Sequence, residues 1–131
     1  PDPAPGGGDA GQASAVATPT REVRRSLLAS DPGRFQQASG KIQLVEFFAF
    51  WDGLSKALAA MIHGLESEYG GRINFVYLDI DDPANERLKQ QLGYKLQPEF
   101  FLLDGRGNLL EHWTGAVTES ELRTAIEAAL R

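Results

Sequence analysis

Carboxylates and histidines are the side chains of this sequence that could do chemistry, because the chain contains no cysteine. The absence of thiols excludes disulfides, thiolate nucleophiles, cysteine-ligated zinc and iron–sulfur clusters. Of the histidines, His63 lies away from the apolar positions of its predicted helix, which predicts a solvated surface residue, and His112 has no partner at metal-ligand spacing. Asp79, Asp81 and Asp82 cluster at a predicted strand end, where we expect a helix cap with a solvated neighbour.

The length and composition indicate one folded, acidic domain. The chain has 131 residues, a formal net charge of −5 and 42% apolar residues. A domain of ordinary size holds about 100–150 residues, so two substantial cores are not expected. The acidic balance predicts neither a nucleic-acid partner nor attraction to an anionic membrane surface. No apolar run approaches the ~20 residues of a membrane span, and no small-molecule cofactor is predicted.

Residues 1–20 differ in composition from everything that follows. They contain four Pro and four Gly and lack Lys, Arg and aromatic residues. Such a segment cannot bury enough apolar area to offset the entropy of ordering, so we interpret 1–20 as a flexible linker. A remnant of an expression tag is the alternative. The sequence therefore predicts a linker at 1–20 and one domain at 21–131.

The patterns within 21–131 alternate between helix and strand, which is typical of an α/β domain. Near-continuous apolar runs at 41–50 and 72–80 predict strands that are covered on both faces. Between them lies a helix capped by Asp52, whose apolar stripe comprises Leu54, Leu58, Met61, Leu65 and Tyr69. The other predicted elements, in chain order, are a helix at 21–30, a short helix at 35–38, a helix from Asp82-Pro83 to about Leu92, a strand at 99–103, a hairpin turn at 104–108, a strand at 109–113 and a last helix opened by a T-x-x-E capping box at Thr118.

The stretch that joins the first strand to its helix, LVEFFAFWDGLSKALA, resembles the active-site segment of the thioredoxin family. That family follows a buried strand with a Trp-Cys-x-x-Cys-Lys motif at a helix N-terminus. Further matches in the family's order are VYLDID in the second strand, Pro98 at the position of a cis-proline, and Gly107 and Gly115 in the final hairpin. The resemblance runs from about residue 41 to the C-terminus. It implies a thioredoxin-like three-layer α/β/α fold with a four- to five-stranded mixed sheet.

Both cysteine positions of the family motif carry other residues, with Asp52 at the first and Ser55 at the second. Disulfide exchange requires an attacking thiolate and a second thiol. The resemblance therefore implies no catalytic residue in this chain and leans against an enzyme. Asp52 is expected to cap the helix instead, which is worth about 1 kcal/mol relative to alanine. Leu54 and Ala60 replace two family prolines, and Glu99 follows the cis-proline position, where a small residue is usual.

Glu46 stands where the family has a buried aspartate that handles protons for the second cysteine. Without that cysteine we expect a remnant acid that reaches Lys56 or water; a proton-transfer role and partial exposure are the alternatives. Burial without a partner would raise the pKa of this carboxyl. Glu46, Asp52 and Glu99 could also gather around Ca²⁺ or Mg²⁺. No D-x-D-x-D-G loop supports such a site, and no metal is predicted.

One part of the family site does not depend on sulfur. The Trp before the motif and the cis-proline loop flank a shallow groove, where an extended peptide bonds to the backbone beside the proline. The resemblance thus implies a redox-inactive module that binds a protein or extended peptide through Trp51, Asp52, Gly53, Leu54, Gln97 and Pro98. The alternatives are a thiol–disulfide oxidoreductase whose cysteines are replaced in this chain, and a scaffold whose site has no retained role.

The segments INFVYLDIDDP and FFLLDGRGN are most similar to membrane-tethered, extracytoplasmic thioredoxin-like proteins. This similarity implies an extracytoplasmic placement in a bacterium. The linker would then join the domain to an anchor upstream of Pro1, and the first residue, which is not Met, fits a processed or truncated product.

Overall fold

A four-stranded mixed sheet forms the centre of the domain. The computed structural model describes residues 26–131, so the predicted linker at 1–20 lies outside the described residues. The strands are β1 (Ile42–Phe48), β2 (Ile73–Asp79), β3 (Glu99–Leu103) and β4 (Leu109–Thr114). They lie in the order β2-β1-β3-β4. The β1–β2 pair is parallel, whereas β1–β3 and β3–β4 are antiparallel.

Helices cover both faces of this sheet and complete three layers, as the sequence predicts. They are α1 (Gly53–Tyr69), α2 (Glu86–Leu92) and α3 (Glu119–Ala129), with 3₁₀ turns at Pro32–Arg34 and Pro83–Asn85. One core cluster packs α1 and α3 against one face and includes Leu44, Phe48, Ile62, Tyr69 and Ile126. A second packs α2 against the other face and includes Val45, Phe47, Phe101 and Leu88. A bilayer-spanning helix is absent from residues 26–131.

The nearly unbroken apolar sequence of β1 is explained by burial on both of its faces. Alternate side chains of a strand point to opposite sides of the sheet. Leu44 and Phe48 accordingly join the cluster beneath α1 and α3, while Val45 and Phe47 join the cluster beneath α2. Glu46 shares its face with Leu44 and Phe48, which places a carboxyl group in the layer beneath α1.

Local sequence signals set the ends of the helices. The carboxylate of Asp52 caps α1, and Thr118 with Glu121 forms the predicted capping box of α3. Gly93 ends α2 in the left-handed conformation, with φ of 82°. The segment that follows Asp82 begins as a 3₁₀ turn and continues into α2, so this helix is also where the sequence predicts it.

The helices predicted before the first strand are wrong within the described residues. Residues 26–30 are not helical. Ser30 instead lies beside β2, where its N–H donates to the carbonyl of Tyr77 at 2.8 Å and its hydroxyl accepts from the Tyr77 N–H at 2.9 Å. A 3₁₀ turn at Pro32–Arg34 replaces the short helix predicted at 35–38. Hydrogen bonds to the sheet edge thus outweigh the helical composition of the segment.

The buried face of α1 is wider than the predicted stripe. Leu65 and Tyr69 are buried as predicted, and the first three positions of the stripe are half-buried. The other buried positions are Ser55, Ala59, Ile62 and His63. The prediction of a solvated His63 is therefore wrong. This side chain is 4% exposed, and its ring centroid lies 5.0 Å from that of Tyr77.

Candidate functional site

The first turn of α1 holds Asp52 and Ser55 in a closed pair. One carboxylate oxygen of Asp52, Oδ2, accepts from the backbone N–H of Ser55 at 2.8 Å and from its hydroxyl at 2.9 Å. The Ser55 side chain is fully buried, and its Oγ also accepts from the N–H of Ala49 at 3.4 Å. The carboxylate thus works as a helix cap. The hydroxyl is already committed as a donor, and neither group can form or exchange a disulfide.

Trp51 precedes this cap and presents its ring to solvent. Its side chain is 60% exposed, and its indole Nε1–H donates to Oδ2 of Asp81 at 2.7 Å. Asp81 lies just beyond β2, so this bond fixes the indole between the start of α1 and the end of that strand. The neighbouring Phe50 is also exposed. The result is an apolar surface that is oriented and that residues 26–131 leave uncovered.

The segment before β3 provides the second part of the site. The Gln97–Pro98 peptide bond is cis, and the carbonyl of Pro98 accepts from the N–H of Gly115 at 2.8 Å. Gly115 has φ of 78°, a conformation that favours glycine. The backbone N–H and C=O of Gln97 have no hydrogen-bond partner within residues 26–131. Leu96, just before it, is 46% exposed. An unpaired backbone edge thus lies beside exposed apolar surface.

Tyr94 connects the two parts of the site, and nothing in the sequence singles it out. Its hydroxyl donates to Oε1 of Gln97 at 2.5 Å, and its ring packs on Phe47 at a centroid distance of 5.4 Å. Burial raises the pKa of this phenol, as do the negative charges of Glu99, Asp81 and Asp52, in that order. The carboxylates at the start of α1 and the end of β2 therefore act on the same hydroxyl that holds the Gln97 side chain.

Glu99 is a buried anchor for the loop that leads into the cis-proline. Its side chain is fully buried, and its Oε1 accepts from the N–H groups of Lys95 at 2.7 Å and Leu96 at 3.3 Å. Its Oε2 contacts Nε2 of His112 at 2.5 Å. The sequence alone predicts none of these three contacts. His112, which has no partner at metal-ligand spacing in the sequence, has a carboxylate partner in the fold.

Glu46 and Glu99 lie on opposite faces of the sheet. Glu46 is 3% exposed in the layer beneath α1, whereas Glu99 shares the α2 face with Phe101. The idea of a divalent-cation site from Glu46, Asp52 and Glu99 is therefore wrong, because the period-two alternation of strand side chains separates the two glutamates. Within residues 26–131, no group of three or more His, Asp or Glu side chains is placed to hold a metal ion.

Desolvation sets the properties of Glu46. Burial raises the pKa of its carboxyl from 4.5 to about 8, as is expected for a buried acid without a compensating charge. The expected contact with Lys56 is not formed in the described part of the chain. The group is therefore a neutral acid near pH 7, buried beneath α1.

The predicted peptide-binding residues fall into two adjacent groups. Trp51, Asp52, Gly53 and Leu54 lie at the start of α1, where Gly53 is exposed and Leu54 half-buried. Gln97 and Pro98 lie in the cis-proline segment, and Pro98 is buried. Tyr94, Asp81 and Leu96 also contribute to this surface, and they are not among the residues that the sequence predicts.

The thioredoxin family model matches residues 32–128. The chain belongs to the thioredoxin family. It is a thioredoxin-like domain without cysteine.

Solved thioredoxin structures share the fold. Thioredoxin NaTrxh from Nicotiana alata superposes with a TM-score of 0.61 at 29% identity, over 69% of this chain and 74% of that chain. Thioredoxin from Fasciola hepatica gives a TM-score of 0.61 at 26% identity, over 70% of this chain and 84% of that chain. These matches agree with the predicted three-layer α/β/α architecture.

Two related proteins match this chain over part of their own length. The thioredoxin-like protein HCF164 of Oryza sativa is 34% identical over 83 residues, which are 62% of this chain and 32% of that protein. The thiol:disulfide interchange protein TxlA of Synechococcus elongatus is 31% identical over 93 residues, which are 70% of this chain and 48% of that protein. The matched region thus spans about a third to a half of these relatives.

Proposed function

We propose that this domain is a redox-inactive module that binds an extended peptide segment of another protein beside Trp51 and the cis-proline. The observation that carries the proposal is the backbone of Gln97, whose N–H and C=O have no partner in residues 26–131 next to a cis peptide bond. An extended chain can pair with such an edge by strand addition, in which backbone hydrogen bonds supply affinity and side-chain contacts supply specificity.

The surroundings of Gln97 favour docking of this kind. The exposed side chains of Trp51 and Leu96 offer apolar contact area on this surface. Two fixed points keep this surface in one arrangement, namely the indole bond of Trp51 to Asp81 and the carboxylate of Glu99 beneath the loop. A surface that is ordered before binding loses less entropy when a ligand arrives.

The second candidate is an oxidoreductase whose cysteines are replaced in this chain. Relatives named for thiol:disulfide interchange favour such an ancestry. Exchange itself needs a thiolate, and the helix start here carries a carboxylate and a buried hydroxyl that bond to each other. The chemistry is therefore lost from this chain, while the groove depends only on backbone and apolar surface.

An NMR titration tests the proposed function. Nitrogen-15-labelled protein is titrated with capped peptides of about eight residues, selected from a randomised library. We expect shifts centred on the Gln97 amide and the Trp51 indole N–H. Trp51→Ala should weaken binding about tenfold, the order expected for an aromatic anchor. Leu109→Ala removes an apolar side chain of similar exposure, 56%, on β4 and should leave binding unchanged.

Two results would contradict this proposal. One is a library that yields no binder, and the other is a bound peptide whose affinity does not depend on Trp51. Thermal unfolding of each variant shows whether the fold is intact. Either contradictory result would favour a scaffold whose site has no retained role.

A further inference from the structure

The exposed ring of Trp51 lies in an acidic setting, which bears on the kind of ligand it receives. We propose that the surface formed by Trp51 and the Gln97 backbone selects an extended segment that carries a lysine or arginine. The ammonium or guanidinium group of that residue lies over Trp51 and beside Asp81. This inference rests on the proposed function and names its ligand class. The expected ligand is a basic peptide rather than an apolar or acidic one.

The indole of Trp51 is held at its N–H edge while most of the residue remains exposed. Its N–H edge is occupied by Oδ2 of Asp81 at 2.7 Å, whereas the side chain as a whole is 60% exposed. The face of a tryptophan ring is the preferred aromatic partner of a cation. The second oxygen of Asp81, Oδ1, has no hydrogen-bond partner among residues 26–131 and can accept from an ammonium or guanidinium group.

Asp52 adds a second carboxylate at the start of α1, next to Trp51. Both hydrogen bonds from Ser55 go to Oδ2 of this carboxylate, so its Oδ1 has no partner in the described part of the chain. Burial raises the pKa of the Tyr94 phenol, whose hydroxyl bonds the Gln97 side chain, and the negative charges of Glu99, Asp81 and Asp52 raise it further. The negative charges of Asp52 and Asp81 therefore act on the side chain that bonds Gln97.

Lys89 of α2 does not neutralise the charges of Asp52 and Asp81. The ammonium of Lys89 donates to the carbonyl of Ile80 at 2.8 Å and pairs with Glu86 at 3.0 Å. It is thus already satisfied by the end of β2 and by its own helix. A chain with a net charge of −5 also attracts basic segments over distance. The open oxygens of Asp52 and Asp81 at the start of α1 and the end of β2 therefore favour a ligand with a positive side chain.

The test compares peptides that differ at one position. A library-selected binder is made with lysine, norleucine or glutamate at the residue nearest Trp51, and each affinity is measured at about 0.15 M salt. Norleucine keeps an apolar stem like that of lysine but lacks the charge. We expect the lysine peptide to bind about tenfold more tightly than the norleucine peptide, and the glutamate peptide to bind most weakly.

Asp81→Asn separates the charge from the geometry. The asparagine oxygen can still accept from the Trp51 indole, so the ring keeps its support while the negative charge is lost. This variant should bring the lysine-to-norleucine affinity ratio close to one. Glu111→Gln, the same charge change on the exposed face of β4, should retain the ratio.

The outcomes are distinguishable. Equal affinity of the lysine and norleucine peptides, or tighter binding of the glutamate peptide, overturns this inference and leaves the proposed function intact. A lysine preference that persists in Asp81→Asn also overturns it. Failure of every peptide to bind overturns the proposed function as well.

Discussion

The buried carboxyl of Glu46 predicts a specific dependence of stability on pH. Its pKa is raised from 4.5 to about 8 by burial. An acid of this kind keeps its proton in the folded state while the unfolded chain releases it, so stability falls as pH rises through this window and levels off above about 8. At 1.36 kcal/mol per pH unit, the loss between 4.5 and 7 is about 3 kcal/mol.

Urea unfolding of the wild-type chain and Glu46→Gln between about pH 5 and 7 measures this effect. The variant has no group to ionise at this position, so its stability relative to wild type should rise by about 1.4 kcal/mol per pH unit. Any constant cost of burying the amide cancels in this slope. Glu111→Gln, an exposed glutamate, is the control and should run parallel to wild type. A parallel profile for Glu46→Gln would refute the argument that desolvation governs this group.

Two further predictions concern stability measured by urea unfolding. Glu99→Ala should lower the free energy of unfolding by about 2–4 kcal/mol, because two loop N–H groups and His112 lose a buried acceptor. Glu99→Gln keeps an acceptor and should lower the free energy of unfolding by less. Equal losses in the two variants would count against the anchoring role of Glu99. Asp52→Ala should lower the free energy of unfolding by about 1 kcal/mol through loss of the α1 cap. Asn also caps helices, so Asp52→Asn should change it by only a few tenths of a kcal/mol. Similar effects of the two variants would argue against capping.

The sequence predicts elements well where local chemistry decides them. The cap at Asp52, the capping box at Thr118 and the stop at Gly93 each depend on residues within one turn. The helix predicted at 21–30 fails over its described residues because the partner that decides its conformation, Tyr77, is far along the chain. The helix propensity of a segment carries no information about a contact with a residue so far along the chain.

The candidate site shows the same division. The resemblance to the family motif identifies Trp51 and Pro98, because both lie within or beside segments that match the family clearly. The contact of Glu99 with His112 depends on the β3–β4 register, which pairs Glu99 with Thr114 and so makes His112 a diagonal neighbour. His63 is buried because the sheet meets α1 over a broad face, which one apolar stripe does not reveal.

The proposed function requires that the domain keep the helix start and the groove of the thioredoxin family although it lacks both cysteines. Asp52→Cys tests it directly, because a thiol there gains the helix N-terminus, which favours the thiolate, while Ser55 cannot resolve a mixed disulfide. The rate of mixed-disulfide formation with a binding peptide that carries an activated disulfide is compared with that of Leu109→Cys, an exposed site on β4. We predict that Asp52→Cys reacts at least about tenfold faster and forms a lasting adduct. Equal rates for the two variants would contradict the claim.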